Sequence, residues 1–316
     1  MADRSGSRRL INFRYHLVSL TAVFLALALG VAMGAAVVDR ALVSTLEDQL
    51  RSVESRSDSV NDSNEMLETA LGNWDTFAAQ AGDRLVAARL TGVPVALITI
   101  AGVDRDVVGR MRAALQAAGA APLPEVVLTA KFVLEDTAAA RELAAVLNTG
   151  TGSPAKIRSD TIDRLVASWA GAGPMGFLGE LQNRSFAEVT PSPADSGVPE
   201  FAPLAPRYLV ISSATADVAN EDMAGPLVAA MAAAGLPVVA ADVTRADEDA
   251  REDTSPEAPF VGPLRDAGPV RSAISTVDHA AGFRGRVAAV LALVDLGDGK
   301  VGQYGTAPGA ERLLPD

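Results

Sequence analysis

The side chains best suited to acid–base or metal chemistry are few in this chain. It contains two histidines, His16 and His279, and no cysteine. Cysteine-ligated zinc sites, iron–sulfur clusters and thiol nucleophiles are therefore excluded. Asp278 directly precedes His279, but it stands where a helix is expected to begin, and we predict that it is the N-cap of that helix. No serine lies in a G-x-S-x-G motif, and the chain is not expected to be an enzyme.

Soft-metal chemistry is limited by the same inventory. Copper(I) prefers thiolate, thioether and imidazole ligands. Beyond the apolar N-terminal run the methionines are scattered, at Met66, Met111, Met175, Met223 and Met231. Met223 and Met231 fall on one predicted helix, where packing in the core is the expected use. We therefore assign no catalytic residue, no cofactor or cofactor-binding residue, and no metal ligand.

Nucleotide and nucleic-acid chemistry also lack support. The run "GAGPMG" at 171–176 matches G-x-G-x-x-G, but it follows a predicted helix that ends near Trp169, and Pro174 lies inside it. A dinucleotide loop needs a strand before it and a helix after it. The net charge of −12 argues against nucleic acid, which binds basic surfaces.

The most prominent structural element that the sequence predicts is an uncharged run near the N-terminus. It extends from Leu17 to Val38, and about 20 apolar residues suffice to cross a hydrocarbon core about 30 Å thick. A secretory h-region is usually only about 7–15 residues long, so we predict an uncleaved anchor, although "GAA" at 34–36 leaves cleavage open. Four arginines precede the run, at Arg4, Arg8, Arg9 and Arg14. They predict a cytoplasmic segment 1–16, a single transmembrane helix 17–38 in membrane lipid, and an extracytoplasmic remainder.

Residues 39–90 show a heptad pattern typical of a coiled coil. Most of the positions in the seam are apolar, and they include Val43, Leu46, Leu50, Val53, Val60, Asn64, Leu67 and Leu71. Asn64 falls at an a position, where a buried asparagine fixes the alignment of two strands. The pattern favours a parallel homodimer. The alternative is an amphipathic helix that folds back on its own domain.

From residue 91 to 316 short apolar strands alternate with helices. Strands are predicted at 93–100, 125–129, 207–213, 236–242 and 272–276. This alternation predicts an α/β domain with a doubly wound, mostly parallel sheet built from two similar halves. A proline-rich linker is predicted at about 171–206, and the acidic run Arg245–Pro259 is predicted to be a solvated loop.

The two ends of the chain resemble one known family. The N-terminal run "RYHLVSLTAVFLALALGVAMGAAVV" and the tail "VGQYGTAPGAERLLPD", with aromatic–Gly–Thr–x–x–Gly at Tyr304–Gly309, resemble the MctB proteins of the actinobacterial cell envelope. The resemblance implies a non-enzymatic role in copper transport or efflux and copper homeostasis, often described as that of an outer-membrane channel. It carries no copper ligand onto a particular residue.

Two expectations depart from that description. One helix per chain cannot enclose a pore, and membrane barrels need many alternating strands of about ten residues. We therefore expect a cytoplasmic-membrane anchor, with the outer membrane as the alternative location. Some relatives resemble septal or envelope-organising proteins that dimerise through such a coil. The alternative function is thus a dimeric structural or interaction protein of the envelope or division septum that binds no metal, with another envelope protein as a possible partner.

Overall fold

The computed structural model describes residues 8–150, 152–190, 200–244 and 258–315. The chain forms two compact units, the first extending to Trp74 and the second beginning at Asp75. Most of the predicted acidic loop, residues 245–257, lies outside the described residues. So does the start of the predicted cytoplasmic segment, residues 1–7.

The first unit consists of the helix α1, Arg8–Val86, as far as Trp74. Its segment Phe13–Gly34 is long and apolar enough to cross a membrane, and none of that segment is buried. Further along, apolar heptad positions are also more than half exposed, namely Leu46, Leu50, Val53, Val60, Leu67 and Leu71. Val43 lies among helix residues whose side chains are not described. The coiled coil and its dimer stay predictions.

The last turns of α1 belong to the second unit, where the helix ends earlier than the predicted coil. The coil was expected to reach residue 90, but α1 ends at Val86, and Ala88 has a φ of 58°, outside the helical region. Val86 and Leu90 are buried in the core of this unit. Because Val86 and Leu90 pack in this core, the helix ends before the predicted coil does.

The second unit is built on a mostly parallel sheet. Its strands in the described residues are β1 Pro94–Ile100, β2 Ala121–Pro122, β3 Glu125–Leu128, β4 Ala187–Thr190, β5 Arg207–Ser212, β6 Val238–Asp242, β7 Ser275–Val277 and β8 Gln303–Tyr304. Their order is β4-β3-β1-β5-β6-β7-β8, with β2 beside β1. Every pair is parallel except β3 with β4.

Helices cover both faces of this sheet. They are α2 Arg105–Ala117, α3 Thr137–Leu147, α4 Pro154–Trp169, α5 Phe177–Asn183, α6 Phe201–Leu204, α7 Ala224–Ala233, α8 Val261–Asp266, α9 Gly268–Arg271 and α10 Phe283–Gly297. Successive side chains of a strand point to opposite faces. In β1, Ala96 and Ile98 therefore join one apolar core with α3, α4 and α7, whereas Val95 and Leu97 join a second core with α2 and α10. The mixed α/β class is confirmed, and the two similar halves stay a prediction.

The predicted linker at about 171–206 is corrected by the structure. Within it lie α5, α6 and β4, and β4 pairs antiparallel with β3 at one edge of the sheet. Phe177, Leu181, Phe186 and Phe201 are buried in the core. The prolines suggested a loop, but these large apolar side chains anchor most of the described part of the segment.

Candidate functional site

The tail motif and the Asp278–His279 pair meet at one edge of the sheet. The strands β7 and β8 are parallel neighbours, with Thr276 opposite Gln303 and Val277 opposite Tyr304. The residues that follow the two strands therefore emerge side by side. Asp278 follows β7, and its carboxylate accepts the backbone N–H of Thr306 at 2.8 Å and that of Ala307 at 3.1 Å.

A buried arginine completes this cluster. The side chain of Arg265, from α8, is fully buried, and its Nη1 donates to Asp278 Oδ2 at 2.8 Å. Its Nε donates to Thr276 Oγ1 and its Nη2 donates to Tyr304 O, each at 2.8 Å. Removing a charged pair from water is costly unless nearly every donor finds an acceptor. The strands β7 and β8 supply two of those acceptors, and the loop after β8 adds the carbonyl oxygen of Pro308, 3.2 Å from Nη1.

Both glycines of the tail motif are required by this cluster. Gly305 has a φ of 129°, and a Cβ at this position would overlap the Asp278 carboxylate. Gly309 has a φ of 79°, and its Cβ would lie 3.2 Å from Cδ of Arg265. Only glycine combines positive φ with so close an approach. The aromatic–Gly–Thr–x–x–Gly run thus closes over a buried ion pair.

The carboxyl group of Asp278 stays ionised at neutral pH. Burial by itself raises its pKa, but hydrogen bonds from His279, from the Thr306 N–H and from Arg265, with the charge of that guanidinium, lower the pKa to about 2. A carboxylate that accepts several hydrogen bonds is stabilised in its charged form. Asp278 is therefore a fixed negative charge beneath His279.

The structure corrects the predicted role of Asp278 as a helix N-cap. The helix α10 begins at Phe283, and Gly282 is its N-cap residue. A sequence pattern that places an aspartate before an apolar helical run does not reveal that the carboxylate has a buried arginine partner. Arg265 was missed altogether. Its only signal is its position in the otherwise apolar stretch "FVGPLR" at 260–265.

His279 is held by Asp278 at the surface of the cluster. Its Nδ1 lies 2.6 Å from Asp278 Oδ1 and 3.3 Å from Thr306 Oγ1, and its side chain is 31% exposed. The residue has a φ of 49°, which is uncommon for a non-glycine residue. A carboxylate that accepts the Nδ1 proton leaves the Nε2 lone pair free to bind a metal ion or to accept a proton. The Thr306 hydroxyl lies at Nδ1, so it is not placed to give its proton to Nε2.

The methionines are divided between core and surface. Met223 and Met231 are fully buried in the core, as predicted, and Met111 is buried as well. Met66 and Met175 are exposed. Across the described ranges no group of three or more His, Cys, Asp or Glu side chains is arranged to hold a metal ion. Among the described residues, no further His, Cys, Asp or Glu joins His279 and Asp278 to form such a group. The run "GAGPMG" at 171–176 lies between α4 and α5 instead of after a strand.

Known proteins resemble this chain along nearly its whole length. The family model "Copper transport outer membrane protein, MctB" matches residues 10–315. Proteins named "Copper transporter MctB" from Mycobacterium tuberculosis (strain ATCC 25618 / H37Rv) and Mycobacterium bovis (strain ATCC BAA-935 / AF2122/97) are each 30% identical to it over 95% of this chain and 98% of their own. A protein of the same name from Mycobacterium leprae (strain TN) is 28% identical over 96% of this chain and 99% of its own.

The match includes both the apolar N-terminal helix and the tail that closes over Asp278 and Arg265. A family model that matches residues 10–315, together with relatives at 30% identity over 95% of the chain, spans nearly all of the described structure. The chain therefore belongs to the MctB family.

Proposed function

We propose that this chain is a non-enzymatic, membrane-anchored protein of the cell envelope that takes part in copper transport and copper homeostasis. The observation that carries the proposal is the full-length match to a family described as copper transport proteins. Relatives that cover 98% of their own length support the same role, because the match is not confined to one shared domain.

The anchor is the apolar segment of α1. Phe13–Gly34 has the length and hydropathy of a membrane span. Arg4, Arg8 and Arg9 before this segment and Arg14 at its start support a cytoplasmic N-terminus by the positive-inside rule. The proposed topology is a single uncleaved pass, with the α/β unit outside the cytoplasm. A helix of this kind suits a cytoplasmic membrane, and the outer membrane in the family's description is the less favoured location.

His279 is the proposed contact for copper. Its Nδ1 is 2.6 Å from the buried Asp278 carboxylate, an arrangement that orients an imidazole whose Nε2 binds a metal ion. Thioether ligands from Met223 and Met231 are not accessible, since both side chains are buried. One imidazole per chain gives weak binding, so the proposal requires His279 from two copies of the chain, or His279 with a ligand from a partner protein.

Titration of the full chain with copper(I) against a competing chelator tests this proposal. We expect at least one copper ion per dimer, and we expect His279→Ala to abolish that binding. His16→Ala and Met223→Leu are matched controls that remove another imidazole or a buried thioether, and both should bind as the unaltered chain does. Absence of binding in the unaltered chain would overturn direct copper handling by this protein.

A second candidate function is a dimeric structural or interaction protein of the envelope or division septum. The observation that favours it is the row of exposed leucines and valines on α1, more than half exposed at each of Leu46, Leu50, Leu67 and Leu71. Apolar residues at heptad spacing are buried when two helices form a coiled coil. This candidate predicts a dimer that binds no copper, and it predicts that loss of the chain affects copper levels only through a leaky envelope.

A further inference from the structure

A cleft of about 690 Å³ lies on the second unit, at the carboxyl end of β1. Its lining comes from the last residues of β1, from α2, from β3 and β4, and from Asp217 after β5. In the sheet β1 lies between β3 and β5. The chain therefore continues from β1 to β3 on one side of it and later forms β5 on its other side. In open α/β sheets ligands bind in the crevice at such a position. The volume lies within the range of about 300–1,000 Å³ that small-molecule sites occupy.

The floor of this cleft is polar where a sheet face is normally apolar. The Glu125 side chain is only 9% exposed, pairs with Arg112, and accepts a hydrogen bond from Thr99 Oγ1 at 3.3 Å. Glu125 faces Thr190 across the β3–β4 pair, and Val127 faces Glu188. Burying the Glu125 carboxylate costs desolvation free energy, and an apolar side chain at this position would avoid that cost. A polar floor beneath an open cleft is the arrangement of a binding site.

Asp217 is held at the edge of the cleft by a close backbone contact. Its N–H donates to the carbonyl oxygen of Ala101 at 2.7 Å. Gly102 has a φ of 91°, and a Cβ there would lie 2.5 Å from Thr215 O and 2.6 Å from Asp217 Oδ1. Glycine at 102 therefore allows the loop after β5 to approach the end of β1. The approach fixes a carboxylate beside the opening.

The charges and ligand atoms of the cleft argue against an anion and against copper(I). Among its described lining residues the acidic side chains are Glu125, Glu188 and Asp217, and the basic ones are Arg105 and Arg112. A phosphate would meet more carboxylates than guanidinium groups. Copper(I) would find only oxygen and guanidinium groups, which are poor ligands for a soft ion. The cleft is thus chemically distinct from His279.

We propose that this cleft binds a neutral, hydroxyl-rich ligand, a mono- or disaccharide. Each sugar hydroxyl both donates and accepts a hydrogen bond. It therefore satisfies the exposed carboxylates of Glu188 and Asp217 and the exposed guanidinium of Arg105 at the same time. Hydrogen bonds to charged groups are the stronger ones. Val103 and Val108 also line the cleft, but both are largely buried in the core, so the charged groups carry the recognition.

Thiol protection in the full, naturally cysteine-free chain tests the proposal. Thr190→Cys and Ala130→Cys each place one thiol on the cleft wall, and Lys300→Cys is an exposed control away from it. N-acetylglucosamine and maltose are the probes, and a neutral thiol reagent reports access. Protection follows 1 + [L]/Kd, so both cleft thiols should react about tenfold more slowly when the sugar is at about ten times Kd. Lys300→Cys should react at an unchanged rate.

A second pair of variants assigns the binding to the proposed residues. In the Ala130→Cys background, Glu188→Gln should raise the sugar concentration needed for half protection by about tenfold, since a charge-assisted hydrogen bond is weakened. Glu180→Gln, which alters an exposed acid outside the cleft lining, should leave the sugar concentration for half protection unchanged. The proposal is overturned if neither sugar protects either cleft thiol up to its solubility. It is equally overturned if inorganic phosphate protects them better than the sugars do.

Discussion

At the scale of single residues, the Arg265–Asp278 pair explains why the tail has its particular sequence. Two buried charges are favourable only with nearly complete hydrogen bonding. The last residue of β8, Tyr304, and the loop that follows, through Thr306 and Ala307, provide it with backbone groups. Glycine at 305 and 309 lets that loop approach the pair. The tail sequence therefore has a structural cause, and Asp278 of the buried pair orients His279 at the surface.

Replacing Asp278 by asparagine should destabilise the α/β unit strongly. Breaking a buried pair leaves an uncompensated charge on Arg265, which costs about 3–5 kcal/mol of unfolding free energy. Glu311→Gln is the matched control, because its pair with Arg271 lies at the surface of the same tail and should contribute less than about 1 kcal/mol. Urea denaturation followed by near-ultraviolet circular dichroism measures both. Similar losses in the two variants would contradict the role given to the buried pair.

The same carboxylate predicts a pH dependence in the acid range. The pKa of Asp278 falls from 3.8 to about 2 on folding, so its stabilising contribution is complete above 3.8 and is lost as the pH falls through about 2. At about 1.4 kcal/mol per pKa unit the contribution is about 2 kcal/mol. The difference in unfolding free energy between the unaltered chain and Asp278→Asn should therefore shrink from pH 4 to about pH 2. A difference that is constant over that window would show that Asp278 titrates normally.

Gly305→Ala tests the close approach of the tail. The new methyl group would overlap the Asp278 carboxylate while its backbone is held at a φ of 129°. Overlap and backbone strain together should cost at least about 3 kcal/mol of unfolding free energy. Gly299→Ala is the control, since it has a φ of 70° but nothing within 4 Å of the added atom, and strain alone should cost about 1 kcal/mol. Equal costs at the two positions would remove the steric argument.

At the scale of elements, α1 carries a row of large apolar side chains that the single chain leaves exposed. Leu46, Leu50, Leu67 and Leu71 are between 55% and 70% exposed in the single chain. Leucines at this spacing are buried only when another helix lies beside them. We therefore expect two copies of the chain to associate along this helix.

Replacing those four leucines by aspartate should convert a dimer into a monomer. Four serines outside the predicted seam, Ser52, Ser55, Ser59 and Ser63, receive aspartate in the control, which adds the same charge and should leave the dimer intact. Light scattering of the full chain in detergent, corrected for bound detergent, gives the protein mass. A monomeric unaltered chain would contradict the predicted coil, and dimers of both variants would place the contact elsewhere.

The elements were predictable from sequence wherever one local signal dominated. Asp104 and Asp136 are the N-caps of α2 and α3, which is a signal that can be read from a few neighbouring residues. The buried strands are likewise indicated by apolar, β-branched runs. The edge strand β4 was missed, because "AEVT" alternates weakly and lies among prolines. Its pairing depends on β3, a partner distant in sequence. The Arg265–Asp278 pair was missed for the same reason, since no local pattern links a residue on α8 with the residue that follows β7.

At the scale of the whole molecule, the proposed topology rests on the charged residues beside the apolar segment. We expect Lys300→Cys to react with an impermeant thiol reagent added outside intact cells, and we expect Ser5→Cys to react only after lysis. The positive-inside rule is the physical reason, because the arginines before the span are retained in the cytoplasm. Labelling of Ser5→Cys from outside would reverse the orientation.

The central claim is that this chain takes part in moving copper, and cell-associated copper tests it most directly. A strain that lacks the chain and one that carries it are grown at equal external copper, and total copper is measured by mass spectrometry beside the uptake of an uncharged dye. The account predicts that loss of the chain raises cell-associated copper with dye uptake unchanged, and that His279→Ala fails to restore the lower level. Unchanged copper, or copper and dye uptake rising together as through a leaky envelope, would contradict it.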